Sequence, residues 1–150
     1  MSSHPAPGHI GLNVTSLERS LPFYQRLLGF EVLGQSEEEG RRFAFLGDGT
    51  SLRLTLWQQA SEGFDGTRAG LHHLAFEVAS PEDLDTYRRR LKDLGVEPLH
   101  GGVVPHSEGA GSGGLFFLDP DGVRLELSVP HGLESDAQAP AGTAPTCGFF

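Results

Sequence analysis

Two histidines and one glutamate are the residues of this sequence whose types and positions could do chemistry. His9 begins the stretch His-Ile-Gly-Leu-Asn-Val, and His73 begins the similar stretch His-Leu-Ala-Phe-Glu-Val. Glu126 lies within residues 123–127, where apolar and polar residues also alternate. Because side chains alternate across a β-strand, the apolar residues of all three stretches would face a core. The two histidines and the glutamate would then face the opposite side together.

A carboxylate in the middle of an otherwise apolar strand needs a compensating partner, because burying an unpaired charge is costly. A bound cation is one such partner. Two imidazoles and one carboxylate, with further positions left open, form the facial triad typical of non-haem Fe(II) enzymes, and the same donors also bind Mn(II), Ni(II) or Zn(II). We therefore predict a divalent-metal site at His9, His73 and Glu126, with Fe(II) favoured.

The elements that must position these residues occur twice. Each His-led strand is followed by a helix signal: Ser16 can cap the first helix, and Ser80 with Pro81 at the next position can begin the second. Each helix carries a single apolar stripe and ends at a glycine, Gly29 or Gly95, that can adopt the left-handed C′ conformation. We predict the first helix at about residues 16–28 and the second between Ser80 and Gly95.

Three further strands are predicted after each helix, separated by turn residues. Their expected positions are 30–35, 41–46 and 51–57 in the first half, and 96–104, 115–118 and 123–129 in the second. The predicted organisation is a first module at 8–58, a linker at 59–70, a second module at 71–130 and a low-complexity tail at 131–150. Each module is thus a strand, a helix and three strands.

The tail is rich in Ala, Pro, Gly, Ser and Thr, which bury too little apolar area to offset the entropy lost on ordering. We expect it to be mobile. Its last residues, Cys147–Phe150, leave two alternatives open: a frayed end, or two aromatic rings that dock into a groove or a neighbouring subunit.

Composition limits the classes of partner. The chain has 150 residues and 37% hydrophobic content, enough for one ordinary domain or two small modules. Its net charge of −9 disfavours nucleic acid and anionic membrane surfaces, and no stretch approaches the roughly 20 apolar residues that a bilayer requires. Cys147 is the single cysteine, so no disulfide can form within the chain, and a reducing cytoplasm is the expected location.

Four more residues are candidates for substrate binding or catalysis, because of the sheet face or the loop in which they are predicted to lie. Trp57, Thr55 and Arg124 point to the His-bearing side by strand parity. Trp57 could flank an apolar substrate or fill a dimer seam. His106 lies in the Gly-rich loop 105–114, which could be a mobile lid carrying a catalytic acid or base, or a solvated hairpin loop.

The sequence resembles the vicinal oxygen chelate superfamily, which contains glyoxalases, bleomycin resistance proteins and extradiol dioxygenases. The matching pieces lie in order at residues 8–14, 20–24, 28–30, 72–78 and 117–122. The resemblance implies an α+β fold in which two paired βαβββ modules form an open, barrel-like cleft around one divalent metal. It also implies that His9, His73 and Glu126 stand at the ligand positions, that the substrate is a small oxygen-bearing molecule, and that the chain forms a homodimer.

Two departures from the better-defined subfamilies guide the choice of reaction. Thr55 stands where glyoxalase I has a fourth ligand, and Phe116 stands where extradiol dioxygenases and fosfomycin-thiol transferases have a tyrosine. We take Thr55, Trp57, Phe116 and Arg124 as candidate substrate contacts. A three-ligand site favours a dioxygenase-like enzyme over a glyoxalase-like lyase or isomerase. The alternatives are a drug-binding protein of the bleomycin resistance kind, without catalysis, and a member whose site is vestigial.

Overall fold

A computed structural model describes residues 3–134 and 145–148 of the chain. The chain separates into two compact units, Met1–Gly63 and Phe64–Phe150, whose boundary falls inside the predicted linker. Each unit contains a strand, a helix and three further strands, and its strands form an open four-stranded sheet. The predicted α+β class and the two βαβββ modules are confirmed.

The first unit begins with strand β1 (Ile10–Asn13) and helix α1 (Leu17–Leu28), followed by β2 (Glu31–Ser36), β3 (Phe43–Gly47) and β4 (Leu52–Trp57). The strand order is β1-β4-β3-β2, with β1 parallel to β4 and the other pairs antiparallel. The Ser16 hydroxyl accepts the N–H of Arg19, and Gly29 ends the helix at φ 72°. Both helix ends therefore follow the sequence prediction.

The core of the first unit is built from alternate strand residues and from the apolar stripe of α1. Val14, Leu27, Leu54 and Leu56 are completely buried. Strand alternation leaves Thr55 on the other face of the sheet from Leu54 and Leu56. The apolar pattern of the sequence therefore decided which face of this sheet the helix covers.

The second unit repeats this arrangement with β5 (Leu74–Glu77), α2 (Pro81–Asp93), β6 (Val104–Pro105), β7 (Gly113–Leu118) and β8 (Arg124–Val129). The strand order is β5-β8-β7-β6, with β5 parallel to β8. The Ser80 hydroxyl accepts the N–H of Asp83 and thereby caps α2. The central strand β8 has β5 on one side and β7 on the other, and Glu126 lies opposite Ala75 and Phe116.

The predicted strand at 96–104 is wrong over most of its length, since only Val104–Pro105 pairs with β7. A 3₁₀ turn at Leu99–Gly101 precedes it. His100, Gly101 and Gly102 have φ values of 58°, 77° and 137°, and three successive positive φ values are incompatible with an extended strand. The edge strand is consequently very short, and the loop that carries His106 starts directly after it.

Part of the tail lies outside the described residues. Mobility was predicted for the tail from residue 131 onward, with its last residues left open. Residues 135–144 of this tail lie outside the described residues, and so do Phe149 and Phe150, whose rings were considered for docking. The described part of the tail includes a 3₁₀ turn at Thr146–Gly148. Across the described residues, no helix has the length and apolar character that a membrane span requires.

Candidate metal-binding site

Glu126 lies at the centre of β8, and its side chain is only 3% exposed. The adjacent residues Leu125 and Leu127 are buried as well, with their side chains on the opposite face of the sheet. A carboxylate in this position has lost nearly all of its hydration, so neighbouring groups must supply hydrogen bonds or positive charge. The sequence predicted this need, and the structure identifies which side chains of the second unit meet it.

Two imidazoles approach the two oxygens of this carboxylate. His73 directly precedes β5, and its Nε2 atom lies 3.5 Å from Glu126 Oε2. His106 reaches in from the loop after β6, and its Nε2 atom makes a short contact with Glu126 Oε1. The structure therefore brings together three of the residues singled out in the sequence. The pairing of His106 with Glu126 was not foreseen.

Further hydrogen bonds fix the position of His106. Its backbone N–H donates to the Ser112 carbonyl oxygen at 2.9 Å, and its Nδ1 atom lies 3.0 Å from the Ser112 hydroxyl. Each ring nitrogen of His106 therefore has a partner, Glu126 at Nε2 and the Ser112 hydroxyl at Nδ1. Ser112 was missed in the sequence, where a serine in a Gly-rich loop gives no signal of a partner.

His73 is held mainly in its neutral form. Burial of its ring lowers its pKa below the usual 6.5, the nearby Glu126 carboxylate opposes this effect, and positive charge on His72, Arg124 and His106 adds to the lowering. Its Nδ1 atom lies 2.8 Å from Nδ1 of His72, so Nε2 is the nitrogen that faces Glu126. A neutral imidazole is the form that binds a metal ion.

The chemistry and spacing of His73 and Glu126 fit a divalent cation. Metal–nitrogen and metal–oxygen bonds are about 2.0–2.2 Å long, so two ligands of one ion lie roughly 3.0–3.5 Å apart, close to the separation observed. His106, on the other carboxylate oxygen, occupies the place of an outer partner that orients a ligand. No group of three or more His, Cys, Asp or Glu side chains able to hold a metal ion is found among the described residues. The second unit thus supplies a donor pair, and His9 as third ligand stays a prediction.

In the first unit, His9 is exposed and directly precedes β1. Thr55 is buried, and its hydroxyl oxygen accepts the indole N–H of Trp57 at 3.0 Å. A Cβ atom on Gly11, which pairs with Thr55, would lie 3.2 Å from that oxygen and would crowd it. The Thr55 hydroxyl is therefore engaged within its own sheet, and its contact with substrate stays a prediction.

Trp57 belongs to an aromatic group that the sequence analysis missed. Its ring centroid lies 5.4 Å from that of Phe43 and 5.7 Å from that of Phe45. Strand register explains the group, because Phe43 pairs with Trp57 and Phe45 pairs with Thr55 across β3 and β4. The alternation of the two phenylalanines was the signal that could have revealed it. Trp57 is 36% exposed and lines a cavity of about 240 Å³.

The two remaining candidates lie in the second unit. Phe116 is completely buried, and its ring contacts the ring of His106 edge to face, with 6.4 Å between the two centroids. The guanidinium of Arg124 lies 6.0 Å from the ring centre of Phe64. A Cβ atom on Gly66 would come within 2.5 Å of this guanidinium. Arg124 therefore packs against the start of its unit, and a substrate contact by either candidate stays a prediction.

Comparison with known proteins agrees with this architecture. The family model described as the Glyoxalase/Bleomycin resistance protein/Dioxygenase superfamily matches residues 6–127. A catechol-2,3-dioxygenase of Bacillus subtilis (strain 168) is 33% identical over 132 residues, which cover 85% of this chain and 43% of that protein. The chain therefore spans less than half the length of this relative.

Two solved structures are similar as well. A glyoxylase/bleomycin resistance protein/dioxygenase domain from Frankia sp. EAN1pec has a TM-score of 0.71 and 28% identity, and the match covers 85% of this chain and 98% of that one. A mutant of the fosfomycin resistance protein FosX of Listeria monocytogenes, complexed with Mn(II) and 1S,2S-dihydroxypropylphosphonic acid, has a TM-score of 0.63 and 25% identity, with 89% and 95% covered. The chain belongs to the glyoxalase, bleomycin resistance protein and dioxygenase superfamily.

Proposed function

We propose that this protein is a divalent-metal-dependent enzyme with dioxygenase-like activity on a small oxygen-bearing organic substrate. The observation that carries the proposal is the buried Glu126 carboxylate, with a neutral His73 imidazole at one oxygen and His106 at the other. The similarity to a catechol-2,3-dioxygenase and to a FosX protein complexed with Mn(II) supports it.

The proposed metal ligands are His73 and Glu126, and the sequence resemblance adds His9. Fe(II) is the favoured metal because two imidazoles and one carboxylate are the donors that non-haem Fe(II) enzymes use. When bound, such an ion acts as a Lewis acid that stabilises negative charge developing on substrate oxygens.

The residues of the chain have separate roles in this proposal. Glu126 presents Oε2 on the side of His73, while His106 holds Oε1 and thereby fixes the plane of the carboxylate. The Nε2 atom of His106 also lies at the site itself, which suits the predicted role of His106 as a general acid or base. Ser112 helps to keep this imidazole in one orientation.

Metal binding is the first test, measured by anaerobic calorimetric titration with Fe(II) and, separately, Mn(II). We expect one ion per chain in the wild type. His73→Ala should weaken binding by at least about 100-fold, since even loss of an outer partner typically weakens it 10–100-fold. His131→Ala, at an exposed histidine outside the site, is the matched control and should bind as the wild type does. A wild type that binds neither these ions nor Ni(II) or Zn(II) would contradict the proposal.

The third ligand and the reaction class are tested next. His9→Ala should weaken binding as much as His73→Ala, and an unchanged dissociation constant would remove His9 from the ligand set. Oxygen uptake by the Fe(II)-loaded protein with a panel of catechols tests the dioxygenase branch. No uptake across the panel would contradict it and favour lyase or isomerase chemistry. Tight binding of bleomycin by a protein that takes up no metal would instead support the drug-binding alternative.

A further inference from the structure

Thr146 is completely buried, although it lies in the tail whose composition predicted mobility. It is followed by Cys147, which is half-buried, and the turn closes with the N–H of Gly148 donating to the Pro145 carbonyl oxygen at 3.1 Å. Complete burial of a polar residue requires hydrogen-bond partners, because an unpaired buried hydroxyl is costly. The partners of Thr146 show what the 145–148 segment binds.

Both polar groups of Thr146 bind the chain at and beside His106. Its hydroxyl donates to the Pro105 carbonyl oxygen at 2.7 Å, and its backbone N–H donates to the His106 carbonyl oxygen at 2.7 Å. Pro105 ends β6, the edge strand of this sheet, where carbonyl groups lack a neighbouring strand. The 145–148 segment therefore covers a sheet edge that would otherwise be open.

These contacts add to the restraints that Ser112 places on His106. The His106 N–H donates to Ser112, its carbonyl accepts from Thr146, and its ring lies between Ser112 and Glu126. Burial, and then the negative charge of Glu126, raise the pKa of the Cys147 thiol in the same segment. The backbone and the ring of His106 are thus each held on two sides, and Thr146 provides one of the four restraints.

We infer that Thr146 is a positioning residue, which docks the 145–148 segment on residues 105–106 and so holds the His106 imidazole against the Glu126 carboxylate. This inference deepens the proposed function, since it concerns the same site. Only its consequence for metal affinity rests on the proposal that Glu126 is a metal ligand. The docking and the His106 contact are properties of the metal-free protein and can be tested there.

The test compares Thr146→Val, which keeps the shape and removes the hydroxyl, with Thr146→Ser, which keeps the hydroxyl. Docking is read from the reaction rate of a thiol reagent with Cys147, the single cysteine of the chain. We expect about five-fold faster reaction in Thr146→Val, the ratio that corresponds to a hydrogen bond of ~1 kcal/mol. Thr146→Ser should stay within about two-fold of the wild type.

Positioning is read from the imidazole ¹⁵N resonances of His106 in the metal-free protein. Thr146→Val should shift these resonances towards the values of a solvated ring, whereas Thr146→Ser should leave them at the wild-type values. If the thiol rate is unchanged in Thr146→Val, the docking is refuted. If the thiol rate rises but the His106 resonances do not move, the segment docks without positioning His106, and the inference is overturned.

Two further measurements separate the possible failures. If Thr146→Val does not fold, amide exchange in the wild type decides the question, because the docked Thr146 N–H should be protected and an unprotected one overturns the inference. If the wild type binds Mn(II), Thr146→Val should weaken binding by about the same five-fold; unchanged affinity would overturn the link to the metal site. A wild type that binds no metal refutes the proposed function, whereas the thiol and resonance results still decide the role of Thr146.

Discussion

Replacing His106 with alanine should destabilise the metal-free protein, because it removes the hydrogen-bond partner of one oxygen of a buried carboxyl group. A hydrogen bond to a charged group contributes about 1.5–3 kcal/mol, and the contact of the imidazole with the Phe116 ring adds about 0.5–1 kcal/mol. The His106 side chain is 29% exposed, so water can enter the vacated space and rehydrate Glu126 Oε1 in part. We therefore expect a loss of about 2–3 kcal/mol, below the roughly 3–5 kcal/mol typical of breaking a fully buried ion pair.

The assay is urea unfolding followed by far-ultraviolet circular dichroism, on wild type, His106→Ala and the exposed control His131→Ala. The control should lie within about 0.5 kcal/mol of the wild type, as surface substitutions usually do. Comparable m-values in the three proteins would show that the variants expose the same surface on unfolding. Equal stability of His106→Ala and His131→Ala would refute the reasoning, because the carboxylate would then be compensated without His106.

Three other predictions concern the fold. A Cβ atom on Gly114 would lie 2.2 Å from the Leu127 carbonyl oxygen, so Gly114→Ala should lose about 3 kcal/mol of stability. In Gly111→Ala the nearest atom would lie at 3.8 Å, so this variant should unfold near the wild-type temperature. Leu127→Ala at a buried position should lose about 2–5 kcal/mol in urea unfolding, against less than about 1 kcal/mol for the exposed Leu118→Ala; similar losses would contradict the assigned core. A threonine hydroxyl and neighbouring N–H groups hold the pKa of Asp48 well below its usual range. Its stabilising contribution is thus present above about pH 4 and lost as the pH falls further, so Asp48→Asn should be less stable than wild type at pH 7, with a gap that closes in acid; a gap independent of pH would contradict this.

The fold could be predicted because its signals are local. Ser16 and Ser80 cap their helices, Gly29 ends the first helix in the left-handed conformation, and buried leucines alternate along β4 and β8. Each of these features depends on a few neighbouring residues and on a simple period. The strand expected at 96–104 was predicted wrongly because one of these local signals is missing there. His100 has a positive φ, which the sequence does not indicate as it would at a glycine.

The candidate site could be predicted only in part. Strand parity placed His73 on the face of Glu126, because His73 lies two residues before Ala75, which pairs with Glu126 in the neighbouring parallel strand. Parity says nothing about a loop, so the contact of His106 with Glu126 was not derivable from spacing. The same limit applied to Ser112, which fixes the His106 ring through a loop of irregular backbone.

By itself, the sequence determined the repeated βαβββ pattern, the resemblance to a family and the presence of a carboxylate that needs a partner. Those features follow from periodic burial and helix capping, which act over short stretches of chain. Only the tertiary structure decided that His106 is that partner and that Thr146, forty residues further along, holds the chain beside it. Such contacts depend on where two irregular segments lie in space, and they produce no periodic pattern in the sequence.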